Sequence, residues 1–224
     1  MCYIGPMSSP AEEFFGLNRK IALAIAPSMA RVPLTPNHVT SLALLSGIGA
    51  ATLFSQGSRP ALLGGAFLMQ LYFILDNCDG AVARLRNMSS ELGMWYDFVA
   101  DLVVDFGLWS GFAVAVSGRG TIPYAWMLAA GAAFGSTMHF VRTVRGRLGG
   151  KTGKEAAPDP GNPAQVILHS FSNDGSPALL IWLLAIFGSP EIFLAGGCIY
   201  INFLWAAGFI SDLKEGFSKS SRQG

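Results

Sequence analysis

Long apolar runs broken by short polar turns dominate the chain. Six runs of roughly twenty residues stand out, at about 38–57, 61–85, 91–117, 122–146, 172–188 and 190–211. A helix of about twenty apolar residues crosses about 30 Å of hydrocarbon, so each run predicts a membrane span. The fifth is the weakest, with Asn173, Asp174, Gly175 and Pro177 near its start. Residues 57–60 and 118–121 are rich in Gly, Ser and Pro and predict tight hairpins. Residues 148–163 form the longest polar break and predict a flexible cytoplasmic loop.

Before the first run, residues 11–32 place Phe14, Phe15, Leu17, Ile21, Ile25 and Met29 on one side, with Arg19, Lys20 and Arg31 beside them. That pattern predicts an amphipathic helix lying in the membrane interface. Thr35 followed by Pro36 predicts a helix start, because proline at the first helical position needs no partner for its missing N–H. The fold expected is all-α: an integral membrane bundle of six transmembrane helices with an N-terminal interfacial amphipathic helix. Its expected divisions are 1–34 (cytoplasmic and interfacial), 35–212 (six-helix catalytic domain) and 213–224 (a polar cytoplasmic tail that frays).

Composition agrees. Hydrophobic residues make up 51% of the 224, charged residues 13%, and mean hydropathy is +0.44. A soluble domain carries about 25% charge. The net charge of +1 gives no case for nucleic acid. With a cytoplasmic N-terminus, six spans put thirteen of the fifteen basic residues on or near the inner face and leave Arg59 and Arg119 outside. This fits the positive-inside rule and puts both termini in the cytoplasm. The opening MCYIGPMSSP has no apolar core and does not read as a signal peptide. Cys2, Cys78 and Cys198 imply no disulfide framework, and Cys78 reads as a small packing residue.

Against this background Asp76, Asp79, Asp97 and Asp101 are out of place, because carboxylates in lipid must be paired, hydrated or metal-bound. Asp76 and Asp79 are three residues apart and Asp97 and Asp101 four apart, so each pair shares one helix face. The pairs lie on consecutive antiparallel spans joined by a short turn, so the two faces can meet. Asp76 stands fifteen residues into its run, roughly 22 Å along a helix, and so within the cytoplasmic leaflet. Converging all-oxygen ligands favour hard cations such as Mg2+ or Mn2+. Two such ions are a common solution for attack at phosphorus. Gly80 and Gly93 lack a Cβ and would let a phosphate or base approach the backbone. Ala83 is small, and Arg84 offers a fork for phosphate oxygens. A buried ion-pair network between the two helices is the competing structural explanation.

Asp76, Asp79, Gly80, Ala83, Arg84, Gly93, Asp97 and Asp101 fill the pattern D-x2-D-G-x2-A-R-x8-G-x3-D-x3-D without departure. In this the chain resembles the CDP-alcohol phosphatidyltransferase family, over roughly residues 33–211. The resemblance implies metal-dependent transfer of the phosphatidyl group of CDP-diacylglycerol to the hydroxyl of a small polar alcohol, with release of CMP, in phospholipid biosynthesis. It implies a homodimer and two divalent cations held by Asp76, Asp79 and Asp97. Asp101 would be general base and would also touch a metal. Gly80, Ala83, Arg84 and Gly93 would shape the nucleotide pocket, with Asn37 and Thr40 as further donor-site residues.

The acceptor is less legible. Asp105 extends the stripe of acids, and G-x-W-x-D-x3-D-x3-D is similar to members that use inositol phosphate. Arg142 and Arg145 suit a phosphate on the acceptor, or serve only as positive-inside anchors. His139 reads either as lining the same cavity or as packed. Asp174 reads either as facing the cavity or as marking a helix start. Inositol phosphate or glycerol phosphate is therefore the favoured acceptor class, with serine, inositol and choline as alternatives. A choline site would need an aromatic cage, for which Trp95, Tyr96 and Trp109 are the available pieces. A Mg-dependent membrane prenyltransferase would use a different spacing of acids. An ion transporter would carry acids through both halves of its spans.

Overall fold

The computed structural model describes residues 17–148, 181–182 and 185–220. The regular secondary structure among these residues is all helical, with no strand. The helices are α1 (Leu17–Met29), α2 (Pro36–Ser55), α3 (Arg59–Leu85), α4 (Glu91–Arg119), α5 (Ala125–Leu148) and α6 (Pro190–Ser220). Four are long and apolar enough to cross a membrane: α2, α3, α4 and, in α6, Pro190–Ile210. Large apolar side chains such as Leu45, Phe67, Met127 and Ile199 point outwards, as lipid-facing positions do. The protein is thus an integral membrane protein. The expected fourth span corresponds to α5, a 24-residue helix whose C-terminal turns carry Arg142, Arg145 and Arg147. The fifth falls mostly outside the described residues, although 181–182 and 185–187 are helical. So do the expected loop at 148–163, apart from Leu148, and Asp174. The expected fraying tail is, as far as Ser220, a continuation of α6.

Local chemistry sets the helix ends. Thr35 is the N-cap of α2 in extended conformation (φ −76°, ψ 158°), with Pro36 in the first turn. The Thr35 N–H donates to His38 Nδ1 at 3.1 Å, which satisfies one donor at the helix start. Ser90 caps α4: its Oγ accepts the Gly93 N–H at 3.0 Å, and Glu91 complements the positive end of the helix dipole. Gly120 closes α4 in the left-handed region at φ 65°. Between α3 and α4, Asn87 takes φ 54°, a conformation asparagine tolerates better than most residues.

The arrangement of α2, α3 and α4 differs from a simple hairpin of neighbours. α2 packs along both α3 and α4, whereas α3 and α4 do not pack backbone to backbone. Small residues let α2 come close: Ala43, Gly47, Ala50 and Ala51 are buried on it. A Cβ on Gly111 of α4 would lie 2.5 Å from the Ala51 carbonyl oxygen. Close approach through small residues is a usual means of holding helices together in lipid. Away from the acidic end, Phe54, Phe112 and Phe193 stack at centroid distances of 4.6 and 4.2 Å and join α2, α4 and α6.

α1 lies against α3, with Met29 of the expected apolar stripe packed beside Ala22 and Ala26. Asn18, Ala22 and Ala26 face inwards, while Leu23 and Ile25 are exposed. Small side chains allow the close approach. Cys78 Sγ donates to the Ala22 carbonyl at 3.5 Å, in keeping with a packing role. Gln70 Nε2 bonds Asn18 Oδ1. Phe14 and Phe15 lie outside the described residues.

Candidate active site

The acids gather at the ends of α3 and α4 that the short turn joins. Asp76, Asp79, Gly80, Ala83 and Arg84 occupy the last turns of α3, and Gly93, Asp97 and Asp101 the first three turns of α4. α2 closes one side of the gap between them. Asp76, Asp97 and Asp101 each direct a carboxylate oxygen so that the three oxygens lie within 4.8 Å of one another. All three are half-buried.

Asp79 stands apart from this trio. It is only 6% exposed, and its Oδ2 accepts the Thr40 hydroxyl of α2 at 2.5 Å. Its carboxylate also lies within hydrogen-bonding reach of Asp97. Thr40 is therefore an orienting group for an acid here. Its hydroxyl also reaches the Pro36 carbonyl at 3.3 Å, which ties it to the start of α2.

The donor set fits a hard divalent cation. Three carboxylate oxygens of like charge converge from two helices, and oxygen ligands of this kind suit Mg2+ and Mn2+ better than zinc. Supporting contacts hold the acids from outside: Thr40 on Asp79, and Tyr72 on Asp101, where the phenol donates to Oδ1 at 2.7 Å. Such outer partners orient ligands at metal sites.

The remaining motif residues border the same region. A Cβ on Gly93 would meet Ser90 Oγ at 3.0 Å and Asn37 Oδ1 at 3.3 Å. The missing side chain thus lets Asn37 of α2 approach the first turn of α4. Ser41 and Tyr96 are hydrogen-bonded at 2.9 Å across the same interface. Arg84 is exposed, and its guanidinium lies 3.4 Å from where a Gly80 Cβ would stand. Arg86 turns away: its Nη1 donates to the Leu34 carbonyl at 2.6 Å and fixes the link between α1 and α2.

Asp105 is one turn deeper than Asp101 and outside the trio. Its Oδ1 accepts Trp109 Nε1–H at 3.1 Å, which also reaches Ser136 Oγ of α5 at 3.2 Å. His139 is half-buried one turn further along α5. The Arg142 guanidinium lies against Gly208 of α6, where any Cβ would collide with it. The side chain of Arg145 lies outside the described residues. The aromatic residues considered for a choline cage have separate partners: Trp95 packs edge-on to Phe98, Tyr96 bonds Ser41, and Trp109 bonds Asp105.

Sequence reasoning missed Tyr72. The signal was present, since 72, 76 and 79 share one face of α3. An aromatic residue in an apolar run, however, reads first as core.

Comparison with known proteins agrees with the fold and motif. The profile of the CDP-alcohol phosphatidyltransferase family matches residues 33–201, and the chain belongs to that family. It is 37% identical over 131 residues to a bifunctional IPC transferase and DIPP synthase of Aquifex aeolicus, covering 58% of this chain. It is 34% identical over 93 residues to the phosphatidylinositol phosphate synthase of Mycobacterium tuberculosis, covering 41% of this chain. The matched stretches span 28% and 42% of those two proteins. The crystal structure of the M. tuberculosis phosphatidylinositol phosphate synthase in apo form shares the fold, with a TM-score of 0.53 at 21% identity over 82% of this chain and 93% of that one. The same synthase with CDP-DAG bound gives a TM-score of 0.50 at 23% identity, over 83% of this chain and 94% of that one.

Proposed function

We propose that this protein transfers the phosphatidyl group of CDP-diacylglycerol to the hydroxyl of a small phosphorylated alcohol, with release of CMP. The observation that carries this reading is the convergence of Asp76, Asp97 and Asp101 in the gap between α3 and α4. Inositol phosphate is the acceptor favoured, since several relatives are phosphatidylinositol phosphate synthases. Glycerol phosphate is next.

Asp76, Asp79, Asp97 and Asp101 would hold two divalent cations, Mg2+ or Mn2+. Bound there, the cations offset charge that builds on the phosphate oxygens during attack. Asp101 accepts the proton of the incoming hydroxyl as general base. Thr40 fixes the orientation of Asp79 beside the trio. Arg84 supplies a planar donor for the nucleotide's phosphates. Gly80, Ala83 and Gly93 leave room beside the helix backbones, and Asn37 borders the donor pocket. Asp105 and His139, with Arg142 and Arg145, bind the acceptor from the α4–α5 side. The acyl tails remain in the leaflet while the nucleotide occupies the cytoplasmic mouth.

The arrangement that accompanies this reading has six spans, with α5 and the segment around 172–188 completing the four apolar helices. α1 lies in the cytoplasmic interface, both termini are cytoplasmic, and the working unit is a homodimer. The inward bias of lysine and arginine supports that orientation.

The test is CMP release by purified protein with CDP-diacylglycerol and Mg2+ or Mn2+. Inositol phosphate, glycerol phosphate, inositol, serine and choline are supplied one at a time. Metal-dependent release with inositol phosphate alone is the expected result. Release with an unphosphorylated alcohol instead overturns the acceptor assignment. Failure to bind CDP-diacylglycerol overturns the transferase reading.

A further inference from the structure

Tyr72 joins the apolar core to the acidic site. Its ring is buried at 8% exposure in the cluster that contains Trp109 and Phe112, and it lies 5.3 Å from the ring of Phe73. Its hydroxyl leaves the core and donates to Asp101 Oδ1 at 2.7 Å. The bond crosses from α3 to α4, two helices that do not pack along their backbones. An aspartate on an unsupported helix face can turn about χ1 and χ2, and its oxygens then move by more than the tolerance of a reacting or ligating geometry. A rigid phenol rooted in packed core limits that motion.

On the functional reading above, we infer that Tyr72 is a positioning residue. By donating to Oδ1 it holds the Asp101 carboxylate in the orientation that lets it join Asp76 and Asp97 around a divalent cation and face the acceptor hydroxyl. Tyr72 touches neither substrate nor metal and acts through Asp101. Outer-shell partners of this kind are worth roughly 10- to 100-fold in metal affinity or activity. The arrangement also makes α3 and α4 report on each other. The spacing between them, set by α2, determines whether the phenol reaches.

The experiment is a double-mutant cycle on the full-length protein in detergent or nanodiscs, read by Mn2+ binding in electron paramagnetic resonance. Wild type, Tyr72→Phe, Asp101→Asn and the double variant are compared. Tyr72→Phe keeps the ring in the core and removes only the hydroxyl. It should weaken Mn2+ binding about tenfold. In the Asp101→Asn background the same change should have less than a twofold effect. Phe73→Leu alters the neighbouring core and should lower the melting temperature while leaving Mn2+ affinity within twofold. In steady-state CMP release, Tyr72→Phe should lower kcat with the KM for CDP-diacylglycerol within twofold. An equal loss of Mn2+ affinity with and without Asp101, or a Tyr72→Phe protein with unchanged affinity and kcat, overturns the positioning role alone. A wild-type protein that binds no Mn2+ overturns the metal-site reading on which it rests.

Discussion

The Thr40 hydroxyl of α2 donates to Asp79 Oδ2 of α3, so the helix that spaces α3 from α4 also orients one of the acids. Thr40 and Asp79 are both buried, at 4% and 6% exposure. Leaving a buried acceptor without its donor costs about 1–3 kcal/mol. Thr40→Val preserves the shape and removes the donor. We expect it to lower both the melting temperature and kcat/KM for CDP-diacylglycerol, while Thr40→Ser retains most of each. Thermal melting and CMP release on the three proteins check this. A fully active Thr40→Val protein would detach Thr40 from the site.

Asp101 is the candidate base, and its removal should separate chemistry from donor binding. A general base contributes about 10²- to 10⁴-fold. Asp101→Asn should lower kcat by at least that range while CDP-diacylglycerol still binds, as measured by retention of radiolabelled donor. Substantial residual turnover would remove Asp101 from this role.

Much of this site was legible because its determinants are local or strictly spaced. The cap at Thr35 and Pro36 needs only the residues beside it, and the sequence places α2 correctly. The spacing of Asp76, Asp79, Asp97 and Asp101 puts each pair on one helix face whatever the tertiary fold. The separation of α3 from α4 was not legible, because α2 sets it through Ala43, Gly47 and Ala50, whose effect depends on what they meet. The reach of Tyr72 to Asp101 depends on that separation. The face that α1 turns to α3 was not legible either: the small residues Ala22 and Ala26 make the close contact, while Leu23 and Ile25 are left outside.

The α2–α4 contact gives a packing prediction. At Gly111 an added Cβ meets backbone, the Ala51 carbonyl, which cannot rotate away. Overpacking of this kind costs about 1–3 kcal/mol. At Gly118, on the same helix, a Cβ meets nothing within 4 Å. Gly111→Ala should therefore lower the melting temperature, and Gly118→Ala should leave it unchanged or raise it through helix propensity. Melting of the two variants side by side in one detergent decides the matter.

At the opposite end from the acids, Arg119 gathers three segments. It donates to the Gly57 carbonyl, and its Nη1 reaches Glu191 Oε1 at 3.1 Å and the Gly188 carbonyl at 3.4 Å. The ion pair is partly exposed, and such pairs contribute about 0.2–1 kcal/mol. The carbonyl contacts join the loop after α2 to the start of α6. Arg119→Ala should therefore destabilise the protein more than Glu191→Ala does. Equal effects in thermal melting would mean that the ion pair, not the carbonyl contacts, carries the contribution.

Arg142 lies against Gly208, and this pairing distinguishes an acceptor ligand from a membrane anchor. The absence of a Cβ at 208 lets the guanidinium lie close over α6, where it is only partly exposed. An anchor needs only its charge at the interface, which lysine supplies equally well. A bidentate contact to phosphate needs the planar fork in a fixed place. Arg142→Lys should then raise the KM for inositol phosphate by roughly tenfold, the equivalent of about 1.4 kcal/mol. The KM for CDP-diacylglycerol should stay within twofold. Gly208→Leu should have the same selective effect with residue 142 still arginine, because the added side chain displaces the guanidinium. If Arg142→Lys behaves as wild type while Arg142→Ala lowers only expression or stability, the residue is an anchor and the acceptor's phosphate is held elsewhere.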